Sequence, residues 1–252
     1  MPDLILDAIP GLPEIAAGDD LAARIAECAE KIGGFKEGDL LAIAHKVISK
    51  AEGRIRDLAD VIPSQRAVAL ASAHDKDPRH VEVVLEETSE LIRADHGVLI
   101  CLTHHGFVCA NAGVDTSNSG ADDQLTLLPK DPDASARNLR SRLGELTSVR
   151  PAVLITDSFG RAWRNGQCEI AIGCAGLAAL DDWRGRTDSR GQELHATWIA
   201  IADQAAGAAD LVRSKDSREP AVRIRGLAQH VTVDDGPGAL ELLRPSSEDL
   251  FR

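Results

Sequence analysis

Tyrosine is absent from the 252 residues, and aromatic residues total only 3%. The net charge is −12. A nucleic-acid binder needs a basic stripe and aromatic platforms for bases, so DNA and RNA are set aside as partners. No apolar run approaches the roughly 20 residues that span a bilayer, so no membrane role is expected. The N-terminal "MPDLILDAIPGLPEI" has no basic n-region and carries early aspartates and prolines. It does not read as a secretory signal, and a cytoplasmic protein is expected. The five cysteines (Cys28, Cys101, Cys109, Cys168, Cys174) are odd in number and lack any C-x-x-C spacing. Zinc-ribbon and thioredoxin readings therefore fail, and the thiols are expected to be reduced and buried.

What is present is an ordinary soluble composition, 44% apolar and 27% charged, with no long linker, internal repeat or low-complexity tract. "GDDLAARIAECAEKIGGF" reads as a helix capped by Asp19 or Asp20, with Leu21, Ile25, Cys28, Ala29 and Ile32 on one face and Gly33 as its stop. A short strand is expected over Leu40–Ala44. "DPRHVEVVLEETSELIRAD" has Asp77 as cap, Pro78 in the first turn and helical spacing. "GVLICLTHHGFVCANAG" reads as two strands around a His-His-Gly turn, and "DPDASARNLRSRLGEL" as a capped helix. "AVLIT" is a strand that stops at Asp157. "ELHATWIAIADQAAGAADLVRS" is a long helix or a strand passing into one, and "AVRIRGL" is a late strand. Alternating strands and helices predict an α/β fold of mixed α+β kind.

Three polar stretches stand at the ends of apolar runs, where open α/β proteins place their sites. In "AHKVISKAEGR", Lys46 and Lys50 share a face if the segment is helical, and a lysine-bearing helix start suits phosphate. The alternative is a solvated helix face. No G-x-x-x-x-G-K-[ST] is present, so this is not a P-loop. In "NAGVDTSNSG", Asp115 and Asn118 offer oxygen ligands suited to Mg²⁺ or Mn²⁺, and an Asx-turn is the plainer reading. In "VLITDSFGRAWRNGQ", Asp157 and Ser158 offer two more oxygens. Arg161 and Arg164 offer a bidentate grip on a substrate phosphate or carboxylate. Trp163 and the apolar run that follows argue against a fully solvated turn there. His104 and His105 sit at the predicted hairpin turn, and neither they nor the isolated histidines show ligand spacing. His45 alone lies inside a candidate site. Acid pairs recruit divalent metals, and metals with cations hold a triphosphate, which is most of what phosphoryl transfer asks of a protein.

The ordered set "GLPEI", "GDLLAIAHKVISKAEGR", "NAGVDTSNS", "LLPKDPDASARNLR", "VLITDSFGRAWRNGQCEIAIGCAGL", "DSRGQEL", "AIADQAAGAADLV", "VRIRGL" and "LLRPSSEDLF" covers nearly the whole chain. Through it the sequence resembles the coenzyme F-420:L-glutamate (γ-glutamyl) ligase family. The resemblance implies a family-specific α/β fold, neither Rossmann nor ATP-grasp, in a homodimer. It implies one ligase module over residues 1–252, with room for two sub-lobes and without the C-terminal reductase domain that some relatives carry. It also implies GTP-dependent amide formation. GTP would phosphorylate the lactyl-phosphate carboxylate of the deazaflavin precursor, and the amine of L-glutamate would displace phosphate. Mg²⁺ or Mn²⁺, two ions, would take part, with K⁺ assisting. Carried over by position, Leu12, Pro13, Glu14 and Ile15 line the nucleotide, Lys50 meets phosphate, and Asn118 contacts the nucleotide. Asp115, Asp157 and Ser158 bind metal. Ser214 and Lys215 lie in a further GTP-binding loop, which starts at Arg213. Relatives commonly carry serine where this chain has His45, which stays in the GTP-binding set as a donor to phosphate or base, and glycine where it has Ser214, so the nucleotide contacts would differ in detail. The alternatives are a ligase of the same core with another acceptor or amine, and a metal- and nucleotide-binding protein without turnover.

Overall fold

In the computed structural model the described residues are 3–116, 123–213 and 217–249. Along the chain the elements are β1 (Ile5–Ala8), α1 (Leu21–Glu30), β2 (Leu40–Ala44), α2 (His45–Ala51), β3 (Ile55–Asp57), α3 (Gln65–His74), α4 (Pro78–Glu86), β4 (Thr88–Asp95), β5 (Val98–Thr103), β6 (Val108–Ala110), β7 (Gln124–Thr126), α5 (Pro132–Thr147), β8 (Ala152–Arg161), β9 (Arg164–Ala175), β10 (Leu180–Asp182), β11 (Trp198–Ala200), α6 (Ile201–Asp210) and β12 (Ala221–Arg225).

The central sheet has the order β1-β12-β2-β8-β9. Only β2 and β8 run parallel, in register from Leu40↔Ala152 to Ala44↔Thr156, and the other neighbours are antiparallel. Both faces of this sheet are covered, which is why "LLAIA" and "AVLIT" read as continuous apolar runs rather than alternating ones. Leu41, Ile43, Val153 and Ile155 meet α1 and α5 on one face. Leu40, Ala42, Ala152 and Leu154 meet the alanine face of α6 (Ala202, Ala205, Ala206, Ala209) on the other. Truncating the fully buried Leu154 to alanine costs about 2–5 kcal/mol by lost transfer energy and cavity formation. Side-chain oxygens start the helices where the sequence expects. Asp20 accepts from Ala23 N–H at the head of α1, and Asp131 from Ala134 N–H at the head of α5.

A third core is built from Val81, Val83 and Val84 of α4, Leu99 and Cys101 of β5, and Leu125 of β7, among others. Its sheet β4-β5-β6 approaches the central sheet where the Phe107 ring meets the Phe159 ring edge-on, centroids 6.2 Å apart. Among the described residues no helix is long and apolar enough to cross a membrane.

Two expectations are corrected. "DPRHVEVVLEETSELIRAD" is a helix only to Glu86, and its second half is strand β4 paired to β5. The strand carrying Asp157 does not stop there but continues to Arg161. Of the two forms open for "ELHATWIAIADQAAGAADLVRS", strand passing into helix is the one found.

Candidate active site

Parallel neighbours end at the same edge of a sheet. Ala44↔Thr156 is the last β2–β8 pair, so the next residues, His45 and Asp157, emerge side by side. His45 opens α2 directly, and Asp157 continues along β8. His45 Nε2 lies 3.3 Å from Asp157 Oδ1, with the His45 side chain 2% exposed and that of Asp157 15%. The pair is close but poorly aligned, and Nε2 has no hydrogen-bond partner. Nδ1 lies 3.2 Å from Ser49 Oγ, one helical turn on. Asp157 Oδ1 accepts from Ser158 N–H at 2.8 Å.

Ser158 faces Glu169 across the β8–β9 ladder, and its hydroxyl donates to Glu169 Oε1. The other Glu169 oxygen accepts from Arg213 Nη2 at 3.0 Å. Arg213 also donates to Thr156 Oγ1 and to Pro220 O, both at 3.0 Å. Both members of this ion pair are 7% exposed. Isolated charges would be very costly at such depth, and the added hydrogen bonds are what make the pair tenable.

The short α2 carries the cations. Lys46 Nζ lies 2.6 Å from Asp115 Oδ2, and the Asp115 backbone is pinned by paired hydrogen bonds to Thr126. Lys50, one turn further, forms an ion pair with Glu14. Glu14, Ile15 and Lys50 line one open pocket of about 280 Å³, with Gly53, Ile55 and Gln124. Leu12 and Pro13 lie just before them on the same loop, half-buried and exposed respectively. Consecutive residues of one helical turn, His45 and Lys46, thus reach the two acids that the sequence singles out.

Asp115, Asp157 and Ser158 present hard oxygen donors, a set that fits Mg²⁺ or Mn²⁺. The ammonium of Lys46 already places one positive charge against Asp115. Among the described residues no group of three or more acids, histidines or thiols is placed to hold a metal ion. Ions that keep waters and phosphate oxygens as partners do not need one. Cys109 is buried beside the site. Burial, with the Asp157 charge second, pushes its thiol up to about 12, so it stays protonated and is no nucleophile.

Arg161 and Arg164 pair with each other across the tip of the β8–β9 hairpin. Four residues beyond Asp157 along a strand is about 13 Å. Arg161 donates to the carbonyls of Asn165 and Gly166, and Trp163 is 82% exposed. The tip stands in solvent, contrary to the expectation drawn from Trp163. Asn118, Ser214 and Lys215 lie outside the described residues. Arg213, where the expected nucleotide loop starts, turns inward to Glu169. Glu169 itself was missed. Its signal was a lone carboxylate in the apolar "CEIAIG", which demands a buried partner.

Acids and cations thus meet beside the end of the parallel β2–β8 pair. Residues 11–226 match the family described as F420-0:Gamma-glutamyl ligase, and the chain belongs to that family. A coenzyme F420:L-glutamate ligase of Methanopyrus kandleri is 44% identical over 254 residues, covering 100% of this chain and 99% of the relative. One of Methanothermobacter thermautotrophicus is 43% identical over 250 residues, covering 98% of each. One of Methanocaldococcus jannaschii is 43% identical over 219 residues, covering 86% of each.

Proposed function

We propose that the protein joins L-glutamate by an amide bond to the lactyl-phosphate carboxylate of the coenzyme F420 precursor, using GTP. Family membership and the names of the relatives support the substrates. The observation that carries the chemistry is the β2–β8 edge. There one turn of α2 sets His45 against Asp157 and Lys46 against Asp115.

In this reading the γ-phosphoryl group of GTP passes to the acceptor carboxylate, giving an acyl phosphate and GDP. The glutamate amine then attacks the acyl carbon, phosphate leaves with the bonding electrons, and the proton lost from the amine passes to the leaving phosphate or to water. Asp115, Asp157 and Ser158 would hold Mg²⁺ or Mn²⁺, two ions assisted by K⁺, which supply positive charge to the phosphoryl oxygens. Lys50 would meet the nucleotide phosphates from the pocket it shares with Glu14 and Ile15. Glu169 accepts from the Ser158 hydroxyl and so holds that oxygen in place. A net charge of −12 leaves the binding of anionic substrates to these local cations. The working unit is proposed to be a homodimer, checked by sedimentation.

The test is direct. Protein is incubated with non-glutamylated coenzyme, L-glutamate, GTP and Mn²⁺, and the product is examined for the mass of one added glutamyl unit with GDP formed in step. Absence of product across Mg²⁺, Mn²⁺ and alternative nucleotides overturns the reading.

A further inference from the structure

His45 is the feature of the site that substrate binding leaves unexplained. Its ring is 2% exposed, and Nε2 is buried without a hydrogen-bond partner. Leaving a buried polar atom unsatisfied is costly, and such atoms in native proteins call for a reason. A histidine kept only for packing would not turn its unpaired nitrogen toward a carboxylate at 3.3 Å and then miss hydrogen-bond alignment.

We infer that His45 Nε2 is a nitrogen ligand to the divalent ion held by Asp157, so that the site favours Mn²⁺ over Mg²⁺. This rests on the metal role given to Asp157 above. Three observations converge on it. First, two neighbouring ligands of an octahedral ion, each about 2.1 Å from it, stand about 3.0 Å apart, close to the 3.3 Å observed between Nε2 and Oδ1. Second, Ser49 Oγ sits 3.2 Å from Nδ1. With Nδ1–H donating to that hydroxyl, Nε2 presents a bare lone pair, and the ring is oriented as in metal-bound histidines generally. Third, the same Asp157 Oδ1 accepts from Ser158 N–H, which fixes that oxygen relative to the ring. Mg²⁺ prefers oxygen and imidazole suits transition metals, so a nitrogen donor here discriminates between the two ions.

The experiment uses the full chain with Mn²⁺ alone and with Mn²⁺ plus GDP. Pulsed electron paramagnetic resonance reads ¹⁴N coupling to bound Mn²⁺, and titration of free Mn²⁺ gives the affinity. Wild type is expected to show imidazole ¹⁴N coupling. His45→Ser is expected to lose that coupling, to weaken Mn²⁺ at least about tenfold, and to bring the Mn²⁺ and Mg²⁺ affinities closer together. Bound Mn²⁺ without ¹⁴N coupling in wild type overturns the inference even if the variant fails to fold. So does coupling that survives in His45→Ser. Asp157→Asn separates the two claims. If it loses Mn²⁺ while His45→Ser binds with wild-type affinity, only the histidine assignment falls. If Asp157→Asn keeps wild-type affinity, the metal role of Asp157 falls, and the inference with it.

Discussion

The two halves of the β8–β9 hairpin are built from one continuous ladder and behave as different objects. The inner half, Ala152–Thr156 against Ala171–Ala175, has β2 on its other side and helices on both faces. The outer half, to Arg161 and Arg164, has no third strand paired beside it, because β2 ends at Ala44. Asp157 stands at that step, the first residue of β8 beyond its parallel neighbour. The charges in "TDSFGRAWR" therefore have two causes. The acid marks the place where a rigid five-stranded sheet opens an edge, and the arginines mark a ribbon in water. A carboxylate meant to hold a fixed position gains from the first location and not from the second.

Substitutions along this step test the contrast. The largest effect is expected inside it. Asp157→Asn should lower glutamyl transfer about 10³-fold while the melting temperature stays within about 3 °C, and a wild-type rate would end the assignment. Glu169→Ala strands the buried Arg213 guanidinium. Breaking a buried pair in this way costs about 3–5 kcal/mol, which scanning calorimetry should show as a fall of roughly 6–20 °C. Lys46→Met removes a half-exposed tether worth about 1 kcal/mol or less. It should leave stability nearly unchanged and cut turnover about tenfold by freeing Asp115, so equal kinetics would show that the loop needs no tether.

Asp203 lies under the inner half and accepts from Ala171 N–H at 2.9 Å. Burial raises its carboxyl above the ordinary value of 3.8. The folded state then binds the proton more tightly than the unfolded chain. This contribution is full below the unfolded value and is lost as pH rises through the folded one. Asp203→Asn should match wild type in acid and melt a few degrees higher at neutral pH, and a gap that does not open with pH would contradict the burial account. At the tip, Arg161→Ala and Trp163→Ala should each move the melting temperature by no more than about 1–2 °C. Any larger change in activity there would report contact with substrate or a second subunit rather than loss of fold.

The same contrast explains what could be read from the sequence. β2 is found at Leu40–Ala44 as expected, and α1 and α5 start at their aspartate caps, because burial and capping leave local marks. Of the outer half of β8 only Phe159 is buried, so its residues carry no continuous apolar run, and Asp157 reads as a stop. β4 was hidden because its strand character comes from pairing with β5 rather than from its own spacing. The three-residue β3 and β7 are too short to show a period. The acids of the site were legible as residue types at strand ends. That His45 faces Asp157 was not, since it depends on the parallel register of strands more than a hundred residues apart.

Helix α5 carries a further consequence. Asp133 and Arg140 are seven residues apart on one face. Asp133 accepts from the N–H groups of Cys174, Ala239 and Leu240. Arg140 grips Thr232 O and the Asp235 carboxylate. At Gly238 and Gly176 a side chain would collide with that same carboxylate and guanidinium. Most of these partners are synthesised 92 to 107 residues later. A ribosome therefore delivers α5 complete while the groups that neutralise its buried face do not yet exist. Until residues 232–240 emerge, that face must stay wet, so the seam between α5 and the sheet closes only after they are made. The helix acts as a timer, holding back final consolidation of the layer beside β8 until residues 232–240 have followed it.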